Sequence, residues 1–207
     1  MKIFFDLDGT LLNSMDRLYR LFQHLVPASV LTYDEYWNLK RNKIGHEEIL
    51  KNHFFYSDDQ IELFKNEWLG LVEAPEWLSM DKPFEGVTAY LAEIKKAHEI
   101  YLITARQFED RLFSQITGYG WHELFTKVFV TGGKRDKYEL ISESMETGPD
   151  DWFIGDTGKD IRTGKDLGMR TAAVLSGFLS KEKLQEYHPD IIINNITDFV
   201  SDINKFG

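Results

Sequence analysis

Two acidic runs contain the residues best suited to chemistry: Asp6-Leu7-Asp8-Gly9-Thr10, and Gly155-Asp156-Thr157-Gly158-Lys159-Asp160 further along the chain. The acids of the first run are two positions apart, so in an extended chain both side chains point to the same side. The acids of the second run are four positions apart and would face together on a helix. This spacing predicts that the carboxylates of Asp6, Asp8, Asp156 and Asp160 converge.

Converging carboxylates indicate a bound cation, because they repel one another and raise each other's pKa unless a positive charge lies among them. The chain has no Cys and no His pair near these acids, which leaves zinc and copper little support. A few Asp oxygens suit Mg²⁺, with calcium as an alternative. A phosphate is the natural companion, because Gly9 permits close backbone approach and Thr10 and Thr104 offer hydroxyl donors.

The elements that must position these residues form an α/β pattern, in which helices alternate with short apolar strands from about residue 82 onward. Ligands bind beyond the carboxyl ends of the strands in such sheets, and the polar residues follow the strand ends. The predicted fold class is α/β, with a Rossmann-like parallel sheet core. The predicted strands are Lys2–Leu7, Ile100–Ile103, Val128–Val130, Trp152–Ile154, Thr171–Leu175 and an edge strand Ile191–Ile193.

Helical spacing dominates the segment between the first strand and the rest of the sheet. Thr32 and Ser57 each begin a capping box, a hydroxyl followed three residues later by Glu or Gln, and each should start a helix. A lone strand followed by helices cannot bury its own edges, so the first strand belongs with the later ones. We therefore predict that residues 1–12 and 83–207 form the core and that residues 13–82 are an inserted all-helical cap domain.

The quoted residues resemble the motifs of the haloacid dehalogenase (HAD) superfamily, whose members share a Rossmann-like core. The first acidic run resembles the motif DxDGT, Thr104 after an apolar strand resembles the second motif, Lys137 the third, and the second acidic run the fourth, GDxxxD. All four occur in the family's order. Lys134, three residues earlier, is the alternative to Lys137. The helical insertion after the first motif resembles a type 1 cap.

The resemblance implies a role for each motif residue. Asp6 would be the nucleophile that attacks phosphorus and becomes an aspartyl-phosphate, while Asp8 would act as general acid and then general base, with a pKa raised towards the working pH. Thr104 would hold a phosphoryl oxygen, and Gly9, Thr10 and Ala105 would complete the phosphate site. Asp6, the backbone carbonyl of Asp8, and Asp156 would bind Mg²⁺. Asp160 would be a further ligand, or would orient Lys137.

Substrate choice is expected to depend on a cap loop that contains a glycine. Arg41, Lys43, Gly45 and His46 lie where such a loop would reach over the site, and their basic side chains suggest a second anionic group on the substrate, such as a carboxylate. A solvated connection between helices is an equal alternative for this stretch. Arg106, just after Thr104, would either meet the substrate or pair with an acid of the core.

The predicted activity is Mg²⁺-dependent hydrolysis of a small phosphate monoester, because a halide would leave without the proton that Asp8 can provide. Two alternatives stay open at this point. A phosphomutase acting on sugar phosphates would use the same residues, and a non-catalytic phosphoacceptor or binding protein also gathers acids, Thr and Lys at strand ends.

The amino-acid composition limits the kinds of molecule that this protein is expected to bind. The 207 residues have a net charge of −10, which opposes binding to nucleic acid or to an anionic membrane. No apolar stretch approaches the roughly 20 residues of a membrane helix. We expect a cytoplasmic monomer whose partner is a small phosphorylated metabolite.

Overall fold

A six-stranded parallel sheet forms the centre of the molecule in the computed structural model, which describes residues 1–199. The strand order is β5-β4-β1-β6-β7-β8. The strands are β1 (Lys2–Phe5), β4 (Glu99–Thr104), β5 (Lys127–Val130), β6 (Trp152–Gly155), β7 (Arg170–Val174) and β8 (Ile191–Ile193). This arrangement confirms the predicted α/β class with a Rossmann-like parallel sheet.

Helices cover both faces of this sheet. They are α6 (Val87–Ile94), α7 (Glu109–Gly118), α8 (Lys137–Ser142), α9 (Gly158–Asp166) and α10 (Lys181–Gln185), followed by a short 3-10 helix, Ile196–Asp198. Side chains of β1 alternate between the faces: Ile3 and Phe5 pack in the cluster that contains α6 and α7, whereas Phe4 packs with Ile141 of α8. Apolar residues on both faces account for the nearly continuous hydrophobic strands.

Five helices lie between β2 (Leu12–Asn13) and β3 (Lys82–Pro83), two short strands that pair antiparallel, and the first four of these helices form a second hydrophobic cluster. The five helices are α1 (Met15–Leu25), α2 (Tyr33–Arg41), α3 (His46–Phe54), α4 (Asp58–Leu71) and α5 (Pro75–Leu78). The capping boxes at Thr32 and Ser57 are both formed and begin α2 and α4 as predicted. We refer to residues 13–82 as the helical insertion; its treatment as a separate domain stays a prediction.

The first strand is shorter than the predicted Lys2–Leu7. It ends at Phe5 because the Leu7 carbonyl accepts hydrogen bonds from the backbone NH groups of Thr10, Leu11 and Leu12, which closes a tight turn. The other strand predictions differ from the structure by one residue at an end or agree with it. Within residues 1–199, no helix has the length and apolar character needed to cross a bilayer.

Candidate active site

Three buried carboxylates lie together beyond the carboxyl ends of two adjacent strands. Asp6 follows β1, Asp156 follows β6, and Asp160 lies in the first turn of α9. One carboxylate oxygen from each lies within 4.8 Å of the others. Because β1 and β6 are neighbours in the sheet, residues distant in sequence reach the same edge. The sequence predicted four converging carboxylates, and the structure brings together those of Asp6, Asp156 and Asp160.

Lys137 contacts two of these carboxylates. Its Nζ donates hydrogen bonds to Asp6 Oδ1 at 2.5 Å and to Asp160 Oδ1 at 2.6 Å, and only 4% of the residue is exposed. The capping box between Asp136 and Glu139 starts α8 just ahead of this lysine and so fixes its direction. Lys134 is exposed. The geometry therefore favours Lys137 over Lys134 as the lysine of the site.

The Asp156 carboxylate lies against two glycines and close to two hydrogen-bond donors. Its Oδ2 accepts a hydrogen bond from the backbone NH of Phe178 at 2.7 Å, and the Thr10 hydroxyl lies 3.4 Å from its Oδ1. A Cβ atom at Gly9 or at Gly177 would overlap the Asp156 carboxylate. Gly9 also has a left-handed φ of 85°, which favours glycine. Gly9 therefore lies against Asp156, and its approach to a phosphate stays a prediction.

Asp160 has both carboxylate oxygens engaged by protein groups. Its Oδ1 accepts from Lys137, and its Oδ2 accepts from the Thr157 backbone NH at 3.1 Å and from the Thr157 hydroxyl at 2.6 Å. The Thr157 hydroxyl accepts in turn from the Asp160 backbone NH, which forms the capping box of α9. Asp160 therefore orients Lys137 directly.

Burial and mutual repulsion raise the pKa values of two cluster members. Burial raises the pKa of Asp6 to about 7 against the opposing charge of Lys137, and Asp160 adds to the rise. Burial raises the pKa of Asp156 well above its usual value, with contributions from Asp6 and Asp160. A cation at the cluster would relieve both effects, so the donor set fits a hard divalent ion such as Mg²⁺.

Asp8 lies apart from the carboxylate cluster, contrary to the sequence prediction. Arg106 donates from Nε to Asp8 Oδ2 at 2.6 Å and from Nη2 to Oδ1 at 2.8 Å, and Arg17 Nη2 donates to Oδ1 at 2.7 Å. Burial alone would raise the pKa of Asp8, but the two guanidinium groups outweigh it and hold this pKa well below its usual value. The raised pKa expected for Asp8 was wrong, because the sequence does not show these arginine contacts.

Asp81 completes a buried ionic network, which we call the arginine clamp (Asp8, Arg17, Asp81 and Arg106). Asp81 accepts from Arg17 Nε at 2.8 Å and from Arg106 Nη2 at 3.1 Å. It lies just before β3, where the chain returns from the helical insertion, and Arg17 lies near the start of α1, where the chain enters it. The clamp therefore connects Asp8 to both ends of the insertion.

The phosphate-site candidates after β4 lie beside the clamp. Thr104 is buried, and its hydroxyl accepts a hydrogen bond from the Arg106 backbone NH at 3.3 Å. Ala105 is exposed. Arg106 pairs with acids of the core, which was one of its two predicted roles, and its Nη1 is buried without a hydrogen-bond partner within the described part of the chain.

The cap-loop candidates divide into two groups. Lys43, Gly45 and His46 line a cavity of about 500 Å³ between the helical insertion and the core. Arg41 does not line that cavity; its carbonyl accepts a hydrogen bond from the Ser180 backbone NH at 3.0 Å. Three of the four cap-loop candidates therefore lie at the same cavity.

Sequence reasoning missed four residues of this region. Arg17 and Asp81 belong to the arginine clamp, and Lys40 and Trp37 line the cavity. Nothing in the local pattern marks Arg17 or Asp81, since they meet across 64 positions of the chain. Lys40 could have been noted, because it shares a basic stretch with Arg41 and Lys43.

Comparisons with known proteins agree with this geometry. A family model described as haloacid dehalogenase-like hydrolase matches residues 3–174. N-acetylmuramic acid 6-phosphate phosphatase of Pseudomonas aeruginosa is 26% identical over 215 residues, covering 98% of this chain and 94% of that protein. Phosphoglycolate phosphatase of Aquifex aeolicus is 25% identical over 215 residues, covering 96% and 94%.

A solved structure shows the same fold. A hydrolase of the haloacid dehalogenase-like family from Streptococcus pneumoniae aligns with a TM-score of 0.78 at 20% sequence identity, covering 98% of this chain and 97% of that one. The family model spans β1 to β7 and includes the carboxylate cluster, Lys137 and Thr104. The chain therefore belongs to the haloacid dehalogenase-like hydrolases.

Proposed function

We propose that this protein is a phosphatase that hydrolyses a small phosphate monoester with Mg²⁺ through an aspartyl-phosphate on Asp6. The observation that carries the proposal is the contact of Asp6 with Lys137 beside Asp156, with a second acid, Asp8, two residues away. This arrangement combines a nucleophile, a buried cation and a candidate general acid at one strand end. The names of the relatives, both phosphatases, support the same reaction class.

The residues that would hold the metal are Asp6 and Asp156, together with the backbone carbonyl of Asp8. Bound there, Mg²⁺ would neutralise phosphoryl oxygens as charge moves during the transfer. Asp160 has both oxygens engaged by Lys137 and Thr157, so it serves as the orienting residue of the lysine.

Asp6 and Asp8 have different roles in the two chemical steps: Asp6 binds phosphorus and Asp8 transfers protons. In the first step an oxygen of Asp6 forms a bond to phosphorus while the bond from phosphorus to the ester oxygen breaks, and Asp8 gives that oxygen a proton. In the second step Asp8 takes a proton from water, whose oxygen attacks phosphorus, and the bond to Asp6 breaks. Inorganic phosphate leaves, and both carboxyl groups return to their starting states.

Lys137, Thr104 and the turn at Gly9 position the phosphoryl group in both steps. Lys137 provides a fixed positive charge beside Asp6, and the Thr104 hydroxyl at the end of β4 can donate to a phosphoryl oxygen. The arginine clamp keeps Asp8 ionised, which suits the second step. For the first step Asp8 has to exchange at least one arginine contact for a proton.

The test is replacement of the nucleophile. Asp6→Asn should abolish hydrolysis of p-nitrophenyl phosphate in Mg²⁺ while circular dichroism shows an unchanged fold. Asp16→Asn, at an exposed acid of α1, is the matched control and should keep full activity. Retained hydrolysis by Asp6→Asn would contradict the assignment. In the unaltered protein, long-lived phosphorylation without turnover would indicate a phosphoacceptor instead.

A further inference from the structure

The cavity between the helical insertion and the core has a charge pattern that the proposed reaction does not use. Its volume is about 500 Å³, within the usual range of small-molecule sites. Lys40, Lys43, Lys159 and Arg162 line it, and no Asp or Glu does so among the described residues. This concentration of positive charge contrasts with a chain of net charge −10. The other ionisable side chains of the cavity are Tyr36, His46 and Tyr187.

Lys40 is the half-buried cation of this group without a hydrogen-bond or ion-pair partner in the described part of the chain, whereas Lys159, which also has none, is exposed. Burial lowers the pKa of Lys40 to about 8. Lys43, in contrast, donates to the Tyr187 hydroxyl at 2.7 Å. His46 cannot replace the missing charge, because burial and Lys40 hold its pKa well below its usual value. A half-buried lysine without a counter-ion loses part of its hydration, and an anion beside it would offset that loss.

A second donor of the cavity is also without a partner. Trp37 is 4% exposed, and its indole Nε1 has no hydrogen-bond partner within the described residues. Trp37 lies one helical turn ahead of Arg41 on α2, three residues before Lys40. Residues three apart on a helix are neighbours on its surface. Lys40 and Trp37 therefore line the same cavity, and neither the ammonium group nor the indole NH has an acceptor within residues 1–199.

Aromatic rings provide flat walls for the same cavity. Trp37 stacks on Phe178 with ring centroids 5.5 Å apart and an interplanar angle of 14°. The Tyr187 ring lies directly against Gly158, at the start of α9, where a Cβ atom would overlap it. These rings can cover the apolar surface of a ligand.

The cavity lies next to the carboxylate cluster, and two backbone segments contribute to both. Phe178 donates its NH to Asp156 and places its ring in the cavity wall. Thr157 and Gly158, which also line the cavity, directly follow Asp156 in the chain. The wall of the cavity is therefore directly connected to the residue that follows β6 in the carboxylate cluster.

We propose that the cavity binds a second anionic group of the substrate, a carboxylate on a leaving group large enough to contact the aromatic walls, with Lys40 as its counter-ion. This inference rests on the proposed phosphatase function and narrows its substrate class. It assigns specificity to Lys40 and Trp37, two residues of α2 ahead of the predicted loop. Lys43 is held by Tyr187 and has a left-handed backbone, with φ of 68°, so it shapes the wall beside them.

The experiment compares two phosphate esters of equal shape, 3-carboxyphenyl phosphate and 3-carbamoylphenyl phosphate. The unaltered protein should have a kcat/KM about tenfold or more higher for the acid, through KM. Lys40→Met should bring the ratio of the two kcat/KM values near one while hydrolysis of the amide stays within about twofold. Lys40→Arg should keep the preference. Lys96→Met, at an exposed lysine ahead of β4, should leave kcat/KM for both esters unchanged.

Two outcomes would overturn the inference. One is equal kcat/KM values for the acid and the amide in the unaltered protein, and the other is an equal decrease of kcat/KM for both esters in Lys40→Met. If neither ester is hydrolysed, p-nitrophenyl phosphate decides the phosphatase proposal, which fails if that ester is not hydrolysed either, and binding decides the cavity assignment separately. Cyclohexanecarboxylate should then change the tryptophan fluorescence of the unaltered protein but not of Lys40→Met, and cyclohexanecarboxamide should change neither. Absence of binding by the carboxylate would overturn the cavity assignment as well.

Discussion

Replacement of Arg17 by Met should destabilise the protein far more than the same replacement at Arg20, although both arginines lie on α1. The Arg17 side chain is 2% exposed and donates to Asp8 Oδ1 at 2.7 Å, to Asp81 Oδ1 at 2.8 Å and to the Val72 carbonyl at 2.5 Å. The Arg20 side chain is 61% exposed and pairs only with Asp16 at 3.0 Å.

The expected magnitude follows from what each substitution leaves behind. Removing one partner of a buried ion pair costs about 3–5 kcal/mol, because the remaining charge stays buried. Asp81 would keep Arg106 and Gln115 as donors, and Asp8 would keep Arg106, so we expect a value near the lower end, about 3 kcal/mol. An exposed pair four residues apart on a helix contributes about 0.5 kcal/mol or less.

Urea unfolding followed by tryptophan fluorescence measures both variants, with EDTA present so that metal binding does not contribute. Arg17→Met should lower the midpoint by about 1 M with an unchanged m value, and Arg20→Met should shift it little. Combining Arg17→Met with Asp81→Asn should cost less than the sum of the single changes. A difference of under about 1 kcal/mol between Arg17→Met and Arg20→Met would refute the clamp as a source of stability.

Three further predictions concern the metal, the lysine of the site and pH. We expect Mg²⁺ to raise the Tm of the unaltered protein in thermal scans. Gly177→Ala should lose this rise, because the added Cβ would displace Asp156. Gly70→Ala, at an exposed position of α4, should keep it. Lys137→Met should lower kcat for p-nitrophenyl phosphate at least about hundredfold without unfolding the protein. The preference for the carboxylated ester should be full below pH 8 and fall as pH rises through the Lys40 pKa of about 8, measured as the kcat/KM ratio of the two esters.

The sheet and the carboxylate cluster were predictable because they follow from local patterns. Mostly apolar runs of three to six residues separated by helical periods specify the strands, and parallel strands bring their carboxyl ends to one edge. Asp6, Asp156 and Asp160 are each placed by the strand or helix turn beside them. Their convergence therefore needed only the correct assignment of the sheet.

The arginine contacts of Asp8 could not be predicted in the same way. Asp8 and Arg106 meet across 98 positions, and Arg17 reaches Asp81 across 64. The first pair lies within the core and the second within the helical insertion, and no periodic pattern encodes a contact between residues so far apart in the chain. The pKa direction expected for Asp8 was wrong because the guanidinium groups of Arg106 and Arg17 lower this pKa, and neither contact follows from a local pattern.

The helical insertion is fastened to the core unequally on its two sides. On the side of α4 and α7, buried Glu73 accepts from the backbone NH groups of Gln107 and Phe108, and the clamp lies nearby. On the side of α2, one backbone hydrogen bond from Ser180, an exposed contact of Lys43 and the stacking of Trp37 on Phe178 span the gap. Fewer polar contacts therefore oppose separation of the two parts at the edge of α2 than beside α7. An opening at that edge would admit a bulky molecule while the carboxylates of Asp6, Asp156 and Asp160 stay together.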